Sequence, residues 1–99
     1  MNNISKGTQD GTAALIEINC GFVPSKVDVY NTEGDAILLW VDGMGSGKGY
    51  KILGTGLGAL IASGGIILSV ETDDFIGFSI GADADVNVNG EELTWVAYR

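Results

Sequence analysis

A lysine set among glycines is the first place where this chain could do chemistry. Gly43-Met44-Gly45-Ser46-Gly47-Lys48-Gly49 has the composition of a loop that cradles phosphate with backbone N–H groups. The spacing does not fit that use. Asp42 stands where the first glycine of a phosphate loop is needed, and Gly49 stands where its Ser or Thr would be. Residues 50–53 read as a strand, whereas the phosphate loop needs a helix there. Gly54-Thr55-Gly56-Leu57-Gly58 likewise lacks the glycine spacing and βαβ setting of a dinucleotide site. Asp85-Val86-Asn87-Val88-Asn89-Gly90 matches the first half of a calcium loop. Its twelfth position is Val96 where a bidentate Glu is required, and its valines ask for burial. The reading preferred here is strand plus hairpin. A calcium ion held adventitiously or at an interface by Asp83, Asp85 and neighbouring carboxylates is the second reading.

The rest of the catalytic repertoire is thin. There is no histidine, which removes Ser-His-Asp and Cys-His nucleophiles and every His-ligated metal. Cys20 is the single cysteine, too few for a structural zinc or iron–sulfur site, and it reads as a small buried hydrophobe. Thirteen acids offer many carboxylate pairs, but the pattern singles out none for glycoside chemistry. The expectation is a non-enzyme with no catalytic residue, no cofactor and no metal site.

The elements explain what these residues do instead. Around Asn89-Gly90, Val86 and Val88 alternate with Asn87 and Asn89, and Leu93, Trp95 and Ala97 alternate with Thr94, Val96 and Tyr98. Alternation around Asn-Gly is a strong hairpin signal. Further strands are expected over residues 12–20, 26–31, 36–42, 50–53, 65–72, 75–80, 84–89 and 92–99. Turns fall at Pro24, Gly34, Asp73-Asp74 and the glycine segments. About eight short strands at this spacing predict an all-β fold, a single β-sandwich of jelly-roll or immunoglobulin-like type. Residues 1–11 are expected to be a flexible N-terminal arm and residues 12–99 the single domain. Residues 36–42 are apolar on both faces, and residues 92–99 are bulky on both. Such strands ask for cover on two sides, from a second sheet or another subunit.

Charge and composition exclude further classes. Thirteen acids against five bases give −8, which disfavours a nucleic-acid partner. No apolar run approaches the ~20 residues of a membrane span, and the polar start does not read as a signal peptide. Sixteen glycines are expected in turns and bulges, or in a chain to which assembly adds stability.

An ordered set of phrases carries a resemblance: residues 21–31 (Gly-Phe-Val-Pro-Ser-Lys-Val-Asp-Val-Tyr-Asn), then Trp40-Val41-Asp42-Gly43-Met44-Gly45, Gly49-Tyr50-Lys51, residues 77–83, residues 86–91 and Trp95-Val96-Ala97-Tyr98-Arg99. Together they resemble small structural proteins of tailed bacteriophages. The resemblance implies a virion β-sandwich without catalytic residues. Its expected role is capsid decoration: a small homo-oligomer, dimer or trimer, bound to the major capsid protein or other virion proteins on the outside of the shell. The alternative is a head- or tail-fibre module that binds a host glycan or another virion protein, with Tyr30, Trp40, Tyr50, Trp95 and Tyr98 as a stacking surface. The expected contact residues are Met44, Ser46, Lys48, Tyr50, Leu57, Leu60 and Ile61, because they lie in glycine-rich segments that offer them little local burial.

Overall fold

Period-two alternation sets the strands and decides which side of each faces the core. The computed structural model describes residues 4–68 and 76–99. Its strands are β1 (Ile4–Asp10), β2 (Ile16–Asn19), β3 (Lys26–Asn31), β4 (Ala36–Val41), β5 (Lys48–Leu53), β6 (Gly58–Leu68), β7 (Gly77–Ile80) and β8 (Glu92–Tyr98). In β3, Val27, Val29 and Asn31 point inward and are buried. In β4 the inward set is Ala36, Leu38 and Trp40, and in β8 it is Leu93, Trp95 and Ala97. The chain is all-β, as expected from sequence.

The eight strands form one antiparallel sheet in the order β1-β8-β3-β4-β5-β6-β7-β2. This is one continuous sheet that curls, not the two separately bonded sheets of the expected sandwich. The chain geometry demands the curl. β1 and β2 are opposite edges, yet only residues 11–15 join them. Laid flat, eight strands would hold those edges about 34 Å apart. The link, fully extended, reaches about 21 Å. Curling brings non-neighbouring strands together over the core. The rings of Phe78 in β7 and Trp95 in β8 meet edge-to-face with centroids 5.6 Å apart.

Two expectations are corrected. Ile4–Asp10, expected within a flexible arm, is paired along its whole length with β8, from Ile4 opposite Tyr98 to Asp10 opposite Glu92. The strand expected at residues 84–89 is absent, and those residues turn. Asp83 is the physical reason. Its Oδ1 accepts from the backbone N–H of Asp85 (2.9 Å) and of Val86 (3.2 Å), and its carbonyl accepts from Asn87 N at 2.9 Å. Side-chain acceptors of this kind compete with a β ladder for the same donors. The Asn89-Gly90 turn does form, with Gly90 at φ 83° and Glu91 N donating to the Val88 carbonyl at 3.1 Å. β8 takes β1 and β3 as its neighbours instead of the preceding residues. The expected turn at Asp73-Asp74, the end of the strand expected over 65–72 and the start of that over 75–80 lie outside the described residues.

Residues 81–91 plug one end of the curled sheet. Val86 is fully buried in the core. Asn87 clasps the plug to the link between the two edges. Its Oδ1 accepts from Thr12 N (2.8 Å) and Ala13 N (3.3 Å), while its Nδ2 donates to the carbonyls of Ala14 (2.6 Å) and Gly81 (3.0 Å). Asn31 supports the plug from β3 by donating to the Val86 carbonyl and to Glu91 Oε1, both at 2.9 Å. Glycine is obligatory where backbones touch. β6 bends sharply: Gly49 faces Ile61, but the adjacent Lys48 faces Ile66. A side chain at Gly65 in that bend would fall on the Lys48 carbonyl, and one at Gly81 would sit 2.5 Å from the Gly64 backbone.

Replacing Asn87 by Ala removes an acceptor from two N–H groups and a donor from two carbonyls. Asn87→Ala is expected to cost about 2–4 kcal/mol, read as a lower urea midpoint. A loss within experimental error would show that the clasp contributes nothing.

Candidate interaction surface

The outward positions of the same strands build a surface that the core does not need. Strand registers align Lys6, Val96, Asp28, Leu39, Tyr50 and Leu60 in one row across β1, β8, β3, β4, β5 and β6. A second row holds Thr8, Thr94, Tyr30, Ile37, Ile52 and Gly58, and a third holds Ile4, Tyr98, Lys26 and Val41. Ile37, Leu39, Tyr50 and Ile52 are half-buried, Val41 is exposed, and Leu60 is 74% exposed. Asp28 is the only acid in these rows, although the chain carries −8. Asp10, Glu33, Glu91 and Glu92 gather instead at the plugged end. There Asp10 faces Glu92, Glu92 N donates to Glu33 at 2.7 Å, and Glu91 reaches Gly34. A large apolar sheet face depleted of acids is the composition of a contact surface.

Two clefts border this face. One, of about 400 Å³, is lined by Tyr30, Ile37 and Ile52 with the β3–β4 turn and Gly54. The other, of about 250 Å³, is lined by Met44, Lys48, Gly49, Leu60 and Ile61. Four of the seven contact residues expected from sequence therefore meet at one cleft. Tyr50 stands beside Leu60, with its hydroxyl over Gly58. Leu57, 70% exposed, lies in the turn before β6. Ser46 is exposed and is tied down, its Oγ accepting from Leu68 N at 3.1 Å. Met44 and Ile61 also pack partly against the core, so they have more local burial than their glycine-rich setting implied.

The aromatic set divides. Trp40 and Trp95 are core residues, and Trp40 Nε1 donates to the Gly45 carbonyl at 2.8 Å. Tyr30, Tyr50 and Tyr98 face outward. Sequence reasoning missed Ile37, Leu39, Ile52 and Asp28 as members of this surface. The two-sided apolar pattern of residues 36–42 held the signal for the first two.

Asp28 is the unusual member. It points outward yet is only 5% exposed. Its Oδ2 accepts from the hydroxyls of Tyr98 (3.4 Å) and Tyr30 (3.5 Å), and Lys26 Nζ lies 3.9 Å away. Among the described residues its Oδ1 has no hydrogen-bond partner. Lys26 Nζ also sits 4.9 Å over the Tyr98 ring.

The candidate calcium ligands already share one cation. Lys51 Nζ lies 2.7 Å from Asp85 Oδ2 and 3.1 Å from Asp83 Oδ2, in the place a cation would take. The Asp85 hydrogen bond raises the Lys51 pKa most, burial opposes it, and Asp83 adds to the rise. No group of metal-ligating side chains is assembled among the described residues. Cys20 is half-buried, its Sγ bonded to the Phe22 carbonyl at 3.1 Å, and burial pushes its thiol pKa up.

No protein-family model, curated protein or solved structure matches this chain.

Tyr30 provides a test of the geometry around Asp28. Burial raises its phenol pKa first, and the Asp28 charge raises it further. The folded phenol therefore holds its proton more tightly than the unfolded one. That contribution to stability is present at neutral pH up to about pH 10. It is lost as pH rises through the raised value. In an ultraviolet titration, Asp28→Asn is expected to lower the highest tyrosine transition part of the way towards the ordinary value. An unchanged transition would contradict the placement of Asp28 beside Tyr30.

Proposed function

We propose that this protein is a non-enzymatic structural component that docks through the outer face of β3–β6, and that the structure it joins is a phage shell. In this reading it is a capsid decoration protein. It attaches to the outside of the shell as a small homo-oligomer, with the major capsid protein or another virion protein as partner. The observation that carries the docking part is the row Leu39, Tyr50 and Leu60 with its neighbours Ile37, Ile52 and Val41, an apolar sheet face left partly open to solvent. The phage setting is supported by the resemblance of residues 12–99 to tailed-phage structural proteins. The acidic balance favours the exterior, away from packaged DNA.

A rigid β scaffold suits this role. Preorganised contact residues lose little conformational freedom on binding, so more of the contact energy appears as affinity. Leu57 and Leu60 are exposed, so polar substitutions there leave the core intact. Leu57→Ser with Leu60→Ser is expected to change stability by less than about 1 kcal/mol. The same pair is expected to weaken co-sedimentation with capsids lacking the protein at least about tenfold. Wild-type protein that fails to co-sediment at a saturable ratio would overturn the decoration reading. A double variant that binds as well as wild type would move the docking face elsewhere.

A further inference from the structure

The Asp28 carboxylate on the outer side of β3 is poorly supplied with donors. Asp28 is nine-tenths buried, its Oδ1 has no partner among the described residues, and its Oδ2 meets the two tyrosine hydroxyls and Lys26 only at long range. Leaving a carboxylate oxygen buried and unpaired is costly. The surroundings are those of a cation site. Two phenol oxygens flank the carboxylate, and Lys26 lies over the Tyr98 ring. Lys26 fills that place poorly. Its Nζ stays 3.9 Å from Asp28 Oδ2, beyond hydrogen-bond distance, and its side chain is 48% exposed.

We propose that Asp28, Tyr30 and Tyr98 form a subsite for a cationic side chain, arginine above all, presented by a partner protein that docks on this face. The inference rests on the docking reading above and adds the partner's chemistry. A guanidinium takes the place of the Lys26 ammonium over Tyr98 and gives planar N–H donors to the carboxylate. Cation–ring attraction adds to the pairing. The partner's apolar side chains then continue along Leu39, Tyr50 and Leu60, the next positions of the same row. Asp28 is the only acid in the outward rows, so a partner's cation has one carboxylate to pair with on this face, while the chain's net −8 supplies only a long-range attraction. A sugar is the poorer fit, since its neutral hydroxyls bring no positive charge to the buried Asp28 carboxylate.

The test is a chemical-shift titration of the whole protein with N-acetyl-L-arginine methylamide. The expected result is saturable change centred on Asp28, Tyr30 and Tyr98. Asp28→Asn is expected to keep the dispersed spectrum of the fold and to weaken the titration more than about tenfold. Lys26→Met vacates the place and is expected to tighten it, which a merely structural Lys26–Asp28 contact would not do. Change without saturation, change centred elsewhere, or equal binding by Asp28→Asn would overturn the subsite. So would probe-free shifts at these residues that grow with protein concentration, because the occupant would then be a second copy. If capsids bind but arginine does not, the subsite fails and the docking reading stands. If arginine binds but capsids do not, the reverse holds.

Discussion

Residues 11–15 set the architecture, because this short link must join the two edges of an eight-stranded sheet. No flat arrangement allows it, so the sheet curls, and the curl creates an inside. The same link then becomes the place where the structure is fastened. Asn87 takes donors from Thr12 and Ala13 and gives donors to Ala14 and Gly81, holding the plug over the open end. Gly11 joins in through two backbone bonds, its N–H to the Glu91 carbonyl and its carbonyl from Gly90 N, at 2.8 and 2.9 Å. Buried polar groups of this kind stabilise only when all are satisfied, and here each has a partner.

From that closure follows a division of labour between the two faces. The inside takes Val27, Val29, Leu38, Trp40, Phe78, Ile80, Leu93 and Trp95, enough for one small core. Among the described residues, the outside of β4 and β5 repeats the apolar composition without a second layer to cover it. Asp28 is the only acid in the three outward rows, and Asp10, Glu33, Glu91 and Glu92 gather at the plugged end. A sheet that is apolar on both sides and covered on one is the physical basis for reading the protein as a docking module.

Part of this was legible in the residues. Period-two alternation marked strands at residues 26–31, 36–42 and 92–99. The last two are apolar or bulky on both faces, so which side of β4 and β8 turns inward was not legible. Incomplete phosphate and calcium motifs pointed away from chemistry and towards contact. Leu57 and Leu60 stood out as apolar residues among glycines, and both are exposed. What stayed hidden depended on the third dimension. Residues 84–89 alternate like a strand, but Asp83 captures the N–H groups that a ladder would need. Ile4–Asp10 has too few apolar residues to signal a strand, and it is one because β8 offers it an unpaired edge. Asp28 sits at a polar position of a regular alternation, so nothing in the pattern marked it as buried. Its burial comes from Tyr30 two residues on and from Tyr98, seventy residues away in the chain.

The central claim is that the outer face of β3–β6 is the surface that meets a partner. Hydroxyl-radical footprinting of the protein, free and bound to capsids, addresses it directly. Leu39, Tyr50 and Leu60 are expected to lose reactivity on binding while exposed Leu15, beside β2, keeps it. Protection at Leu15 with Leu60 unchanged would contradict the claim and place the contact at the sheet edge.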